Sequence, residues 1–197
     1  MEIPDTNKKI AQRISSYKSK MNREKRDHGH INDDAGKRYV LFALHFLLDD
    51  IKKSQSYFDW YESEFSDDIG EPVQKLCWAL SLHKMGQDEK AKHKLADLML
   101  SNLYFIPKLL GRDIKEYGIR HTTNYEEAEY FFDTPPQVLN NITDEDKGWM
   151  KNHYDSFEFR RIRKRYIEIF TELSNEEDRG KRRKLLDESY GLLKTLH

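Results

Sequence analysis

A single cysteine, Cys77, stands in 197 residues, which excludes an intramolecular disulfide and leaves the chain to hold itself by packing. Cys77 lies beside Trp78 on an expected core helix and reads as a small buried apolar side chain, suited to a reducing compartment or indifferent to redox state. No run of about 18 apolar residues is present, and the opening MEIPDTNKKI lacks the apolar core of a secretory signal. The expectation is a cytoplasmic protein with no membrane partner. An excess of charge of one sign is also absent: charged residues make up 35% of the chain, yet the formal net charge is -1, so the global balance points to no polyanion. The 9 glycines are scattered, and Gly36-Lys37 lacks the preceding glycine and the strand that a phosphate loop requires. No nucleophile motif is visible, so neither a reaction nor a cofactor is expected.

What the chain does contain is helical periodicity. Its 37% hydrophobic content is low but sufficient for amphipathic helices around one core or a pair of small helical units. Met1 to His30 is polar and basic, with Ile10, Ile14 and Tyr17 giving one narrow apolar stripe, enough to dock on a neighbour but not to be stable alone. Asn32-Asp33-Asp34 offers short polar side chains to the open amides of a helix over Ala35 to Leu48, apolar on more than half its circumference. Tyr57, Phe58, Trp60, Tyr61 and Phe65 then place a dense aromatic patch on a second helix. Pro72 sits early in a third, where its missing amide costs nothing, and a fourth runs from Asp88 to about Leu100.

Between Leu76 and Gly111 small residues fall at fixed places: Ala79 and Ala91 where two antiparallel helices would cross closely, Gly86 in the turn, and Trp78, Leu82, Leu95 and Leu98 around them. This pattern resembles a tetratricopeptide repeat. Asn102-Leu103-Tyr104, Ile106-Pro107 and Leu109-Leu110-Gly111 further resemble the segment closing the last hairpin in a group of bacterial tetratricopeptide-like proteins of unassigned role. Lys75 departs from the pattern, standing where a large aromatic is usual, and the first hairpin matches only in helix length and apolar content. The resemblance implies an all-α fold of antiparallel helical hairpins in a short solenoid and a role in binding other proteins.

Four segments are expected: a basic arm or helix over 1–30, tetratricopeptide-like hairpins over 31–117, a capping segment over 118–142, and a C-terminal helical hairpin over 143–197. In the last, Phe159, Ile162, Tyr166, Ile169 and Leu173 form a helix-pairing stripe, echoed by Leu185, Ser189, Leu192 and Leu196.

The leading expectation is a non-enzymatic module that takes a peptide or helix of a protein partner in a groove. The repeat class lines that groove with the first helix of each pair, so Lys37, Arg38, His45, Gln74, Lys75, Ser81 and His83 are the partner-binding candidates. The alternative, from a different class, is a nucleic-acid-associated factor using the basic N-terminal arm and the cluster Arg160, Arg161, Arg163, Lys164, Arg165 with Lys181, Arg182, Arg183, Lys184. Interleaved glutamates and aspartates favour a solvated ion-pair face for that cluster instead. A homodimer through the Phe159 to Leu173 stripe is compatible with either. His28-Gly29-His30 with Asp33 and Asp34 offers metal-ligand chemistry, but no second cluster completes a site and no metal is expected.

Overall fold

A computed structural model describes residues 3–119 and 122–196; Met1, Glu2, Arg120, His121 and His197, which fall in the expected arm, cap and C-terminal segments, lie outside them. Every regular element among the described residues is helical, as the periodicity predicts. The helices are α1 (Asn7–His28), α2 (Lys37–Leu48), α3 (Ile51–Glu64), α4 (Pro72–Lys84), α5 (Asp88–Ser101), α6 (Phe105–Leu109), α7 (Pro136–Asn140), α8 (Asp144–Tyr154), α9 (Phe157–Asn175) and α10 (Arg179–Gly191). No described helix is long and apolar enough to cross a membrane.

Short polar side chains set most of the starts. Thr6 accepts from the Lys9 amide, Asp50 from Lys53, Ser156 from Phe159 and Asp178 from Lys181, each satisfying a first-turn donor that has no intrahelical partner. Reciprocal capping boxes open α4, between Glu71 and Gln74, and α8, between Thr143 and Asp146. Asp33, with a fully buried carboxylate, accepts from the amides of Lys37 at 3.0 Å and Arg38 at 2.7 Å, doing for α2 what Gly36 at its N-cap cannot. Gly86 takes φ 70° in the turn after α4, the left-handed conformation expected of the hairpin glycine. Gly70 is more constrained still: at φ 74°, a Cβ there would lie 2.4 Å from Gln74 Oε1, displacing the side chain that closes the α4 capping box.

Two compact units divide the chain. The first runs to Ala91 and takes in Asp133–Ile142; the second comprises Lys92–Phe132 and the residues from Thr143 onward. In the first, α2 packs against α1, α3, α4 and α7, and α3 also against α4. That enclosure explains why six successive α2 residues, Leu41 to Phe46, and eleven successive α4 residues, Pro72 to Leu82, are buried. Helix α1 docks by Ile10, Ile14 and Met21, the narrow stripe its spacing foretells with Met21 in place of the half-buried Tyr17. Phe42, Trp78, Ala79, Leu82, Ala91, Leu95 and Leu98 are buried, and Trp60 is half-buried.

In the second unit, α9 packs on α8, on α10 and on the 3-10 turn Leu192–Thr195. The stripe offered for self-association is spent within the chain: Phe159, Ile162, Ile169 and Leu173 are buried, leaving Tyr166 half-exposed. Asn102 braces the irregular segment after α6 by donating to the carbonyls of Tyr125 at 2.7 Å and Glu127 at 2.9 Å.

Candidate interaction surfaces

The helices expected to line a groove are the enclosed ones, and the candidate side chains follow them inward. His45 is 1% exposed, Gln74 1%, Lys75 5% and Ser81 6%. Arg38 is held by Asp33, Tyr39 and Asp68, and Lys37 folds back to Asp33 at 3.4 Å. His83 is half-buried, its Nδ1 3.5 Å from the Asp88 carboxylate across the α4–α5 turn. The burial of these side chains has a plain physical cause: α2 acquires neighbours on several sides, α1 and α7 among them, where a two-hairpin solenoid leaves its first helices open.

Arg38 and Asp68 form the densest polar cluster of the first unit. The Asp68 carboxylate accepts from Arg38 Nε at 2.5 Å, from the hydroxyls of Tyr39 at 2.6 Å and Tyr61 at 3.0 Å, and from the Gly70 amide at 3.1 Å. Burial alone would raise the Asp68 carboxyl, but these four donors outweigh it and hold the group below its ordinary range. Every partner is satisfied within the chain, so the cluster ties the start of α2 to the segment after α3 rather than presenting a reactive group.

His45 is the opposite case. Neither ring nitrogen has a hydrogen-bond partner, and the imidazole lies stacked on Tyr57 with centroids 4.9 Å apart. Burial pushes it down to about 4; Lys18 and Lys53 act in the same sense and Asp50 against it. A base depressed in the folded state contributes stability that is present above its unfolded value near 6.5 and is lost as pH falls towards 4. The expected loss between pH 7 and pH 5 is about 2 kcal/mol, and His45→Phe should flatten that window in urea unfolding. An unchanged pH dependence in the variant would show that His45 is not the group responsible.

The C-terminal basic cluster is largely consumed by internal contacts. Arg165 meets Glu188 through two bonds of 2.6 and 2.8 Å and reaches Glu168 and Glu172. Arg182 donates to the last carbonyls of α9 at Leu173 and to that of Glu176, and Lys181 pairs with Glu176. Arg163 lies 4.0 Å over the Tyr154 ring, Arg161 binds the Thr195 carbonyl, Arg160 its own helix, and Lys164 pairs with Glu168. Arg183 and Lys184 are exposed and form no ion pair with a described residue. A cleft of about 590 Å³ between α9 and α10 is floored by Ile162 and Leu192 and crossed by the Arg165–Glu188 pair. Among the described residues no group of three or more His, Cys, Asp or Glu side chains could hold a metal ion, and His28 and His30 are exposed.

A surface that the residue-level candidates omit is the outer face of α1. That helix carries Lys8, Lys9, Arg13, Lys18, Lys20, Arg23, Lys25 and Arg26 against Glu24 and Asp27. Helical spacing puts Lys8, Lys9, Lys20, Arg23 and Arg26 within an arc of about 120° opposite Ile10, Ile14 and Met21. All five are exposed, and Lys8, Lys20 and Arg23 make no ion pair with a described residue. The signal was available: the stripe that marks the docking side of α1 also marks its solvent side. No family model, curated protein or solved structure matches the chain.

Proposed function

We propose that this chain is a non-enzymatic interaction protein, a helical-hairpin scaffold that presents the outer face of α1 to an acidic partner. The observation that carries the reading is the concentration of exposed cations on α1, three of them unpaired, on a helix whose opposite side is fixed to α2 by buried Ile10, Ile14 and Met21. Tetratricopeptide-like order is supported by α2, which packs on its hairpin partner α3 and on the next first helix, α4. The groups best suited to reaction are given over to packing: burial raises the Cys77 thiol, and His45 has no hydrogen-bonding neighbour.

Retention on immobilised polyanions tests the reading. The wild-type chain should bind at least one of duplex DNA, single-stranded DNA or polyglutamate at low salt, and a Lys8→Glu, Lys20→Glu, Arg23→Glu variant should elute early from all three. Co-elution of the two proteins on every column would sink the proposal. These are exposed positions, so each substitution should change stability by no more than about 0.5 kcal/mol.

A further inference from the structure

Resting on that reading, we infer that the acidic partner of α1 is the phosphate backbone of duplex nucleic acid, bound without base readout. Three features of the face select this chemistry. Between its cations lie Gln12, Ser16 and Ser19, exposed hydrogen-bond donors of the kinds that contact phosphate and sugar oxygens, with Asp27 the one acidic residue of the arc, beside Arg26. A protein partner needs apolar or aromatic anchors at the centre of its interface, and the largest exposed apolar residue on α1 is Ala11. A single strand needs aromatic platforms for its unstacked bases, and the one aromatic residue of α1, Tyr17, is half-buried on the docking side.

Dimensions agree with the chemistry. The 22 residues of α1 extend about 33 Å, close to one turn of a duplex. Lys8 lies about 18 Å from Lys20 and about 22 Å from Arg23 along the axis, so the two ends of the helix reach separate phosphates. Lys9, beside Asp5 at 3.5 Å, and Arg26, beside Asp27 at 3.4 Å, hold exposed and weak pairs that a phosphate can displace. Affinity from phosphate contacts comes from counterion release and is steeply salt-dependent.

The deciding experiment measures binding of the full chain to a duplex of about 20 base pairs, to one of its strands and to polyglutamate of matched charge, across a salt series. The duplex should bind tightest, with log K falling against log salt at a slope of about -3 or steeper. A Lys8→Ala, Lys20→Ala, Arg23→Ala variant should make that slope shallower by about 3 and weaken duplex binding about 100-fold at low salt. Arg183→Ala with Lys184→Ala should change neither. Equal or tighter binding of polyglutamate, or of the single strand, overturns the duplex assignment while the interaction reading stands. Loss carried by Arg183 and Lys184 instead overturns the placement on α1. Failure of all three probes to bind at low salt overturns both.

Discussion

Replacing Phe42 with alanine is expected to cost about 4 kcal/mol. The ring is 0% exposed and meets four others: edge-on Tyr57 at 5.1 Å and Tyr61 at 4.9 Å, stacked Phe58 at 5.2 Å, and tilted Trp78 at 4.8 Å. Those rings come from α3 and α4, so the cavity left by alanine is walled by three helices and cannot close by one side-chain movement. Each aromatic pair adds to the loss from burial, whereas Phe42→Leu keeps most of the volume and should cost under about 2 kcal/mol. The contrast is Phe157→Ala: that ring is 73% exposed and its removal should be nearly neutral. Urea unfolding followed by tryptophan fluorescence checks all three, and a Phe42→Ala midpoint close to that of Phe157→Ala would contradict the packing described.

Local chemistry was legible in the sequence to the extent that it is local. Pro72 marks the start of α4, and the polar run at Asn32 to Asp34 contains the Asp33 carboxylate that caps α2, because each depends on residues within one turn. The i,i+4 pair Lys164–Glu168 was foreseeable for the same reason. The contacts that decide which helices face solvent are not local. Helix α7, from the segment after Thr134, reaches α2, and α1 covers another side of it; no spacing within Lys37 to Leu48 records either neighbour. Polar residues on α4 therefore suggested a wet face, although Gln74 is buried because it completes a capping box. The pairing of Arg165 with Glu188 spans two helices and likewise follows from no spacing within either one.

Asp68→Ala is expected to cost about 3 kcal/mol at neutral pH, because it strands partners rather than merely deleting a contact. The carboxylate is 12% exposed, and its loss leaves the Gly70 amide and two tyrosine hydroxyls without an acceptor and Arg38 without its strongest one. Arg38 keeps Asp33, and Asp68→Asn, which retains one carbonyl oxygen, should cost about half as much. The pH dependence separates this cluster from His45. A carboxyl held below its ordinary value contributes stability present above the unfolded value near 3.8 and lost as pH falls through the folded one. The deficit of Asp68→Ala should therefore be full at pH 5 and shrink below about pH 4, after the His45 window has already been crossed. Tyr57 couples the two sites: its hydroxyl donates to the Arg38 carbonyl at 2.6 Å while its ring stacks on His45. Stability measured from pH 7 to pH 3 in the wild type, His45→Phe, Asp68→Ala and the double variant should show two acid phases, each reduced by its own substitution. A double variant less destabilised than the sum would measure the coupling through Tyr57. Loss of both phases on substituting either residue alone would show one titrating unit instead of two.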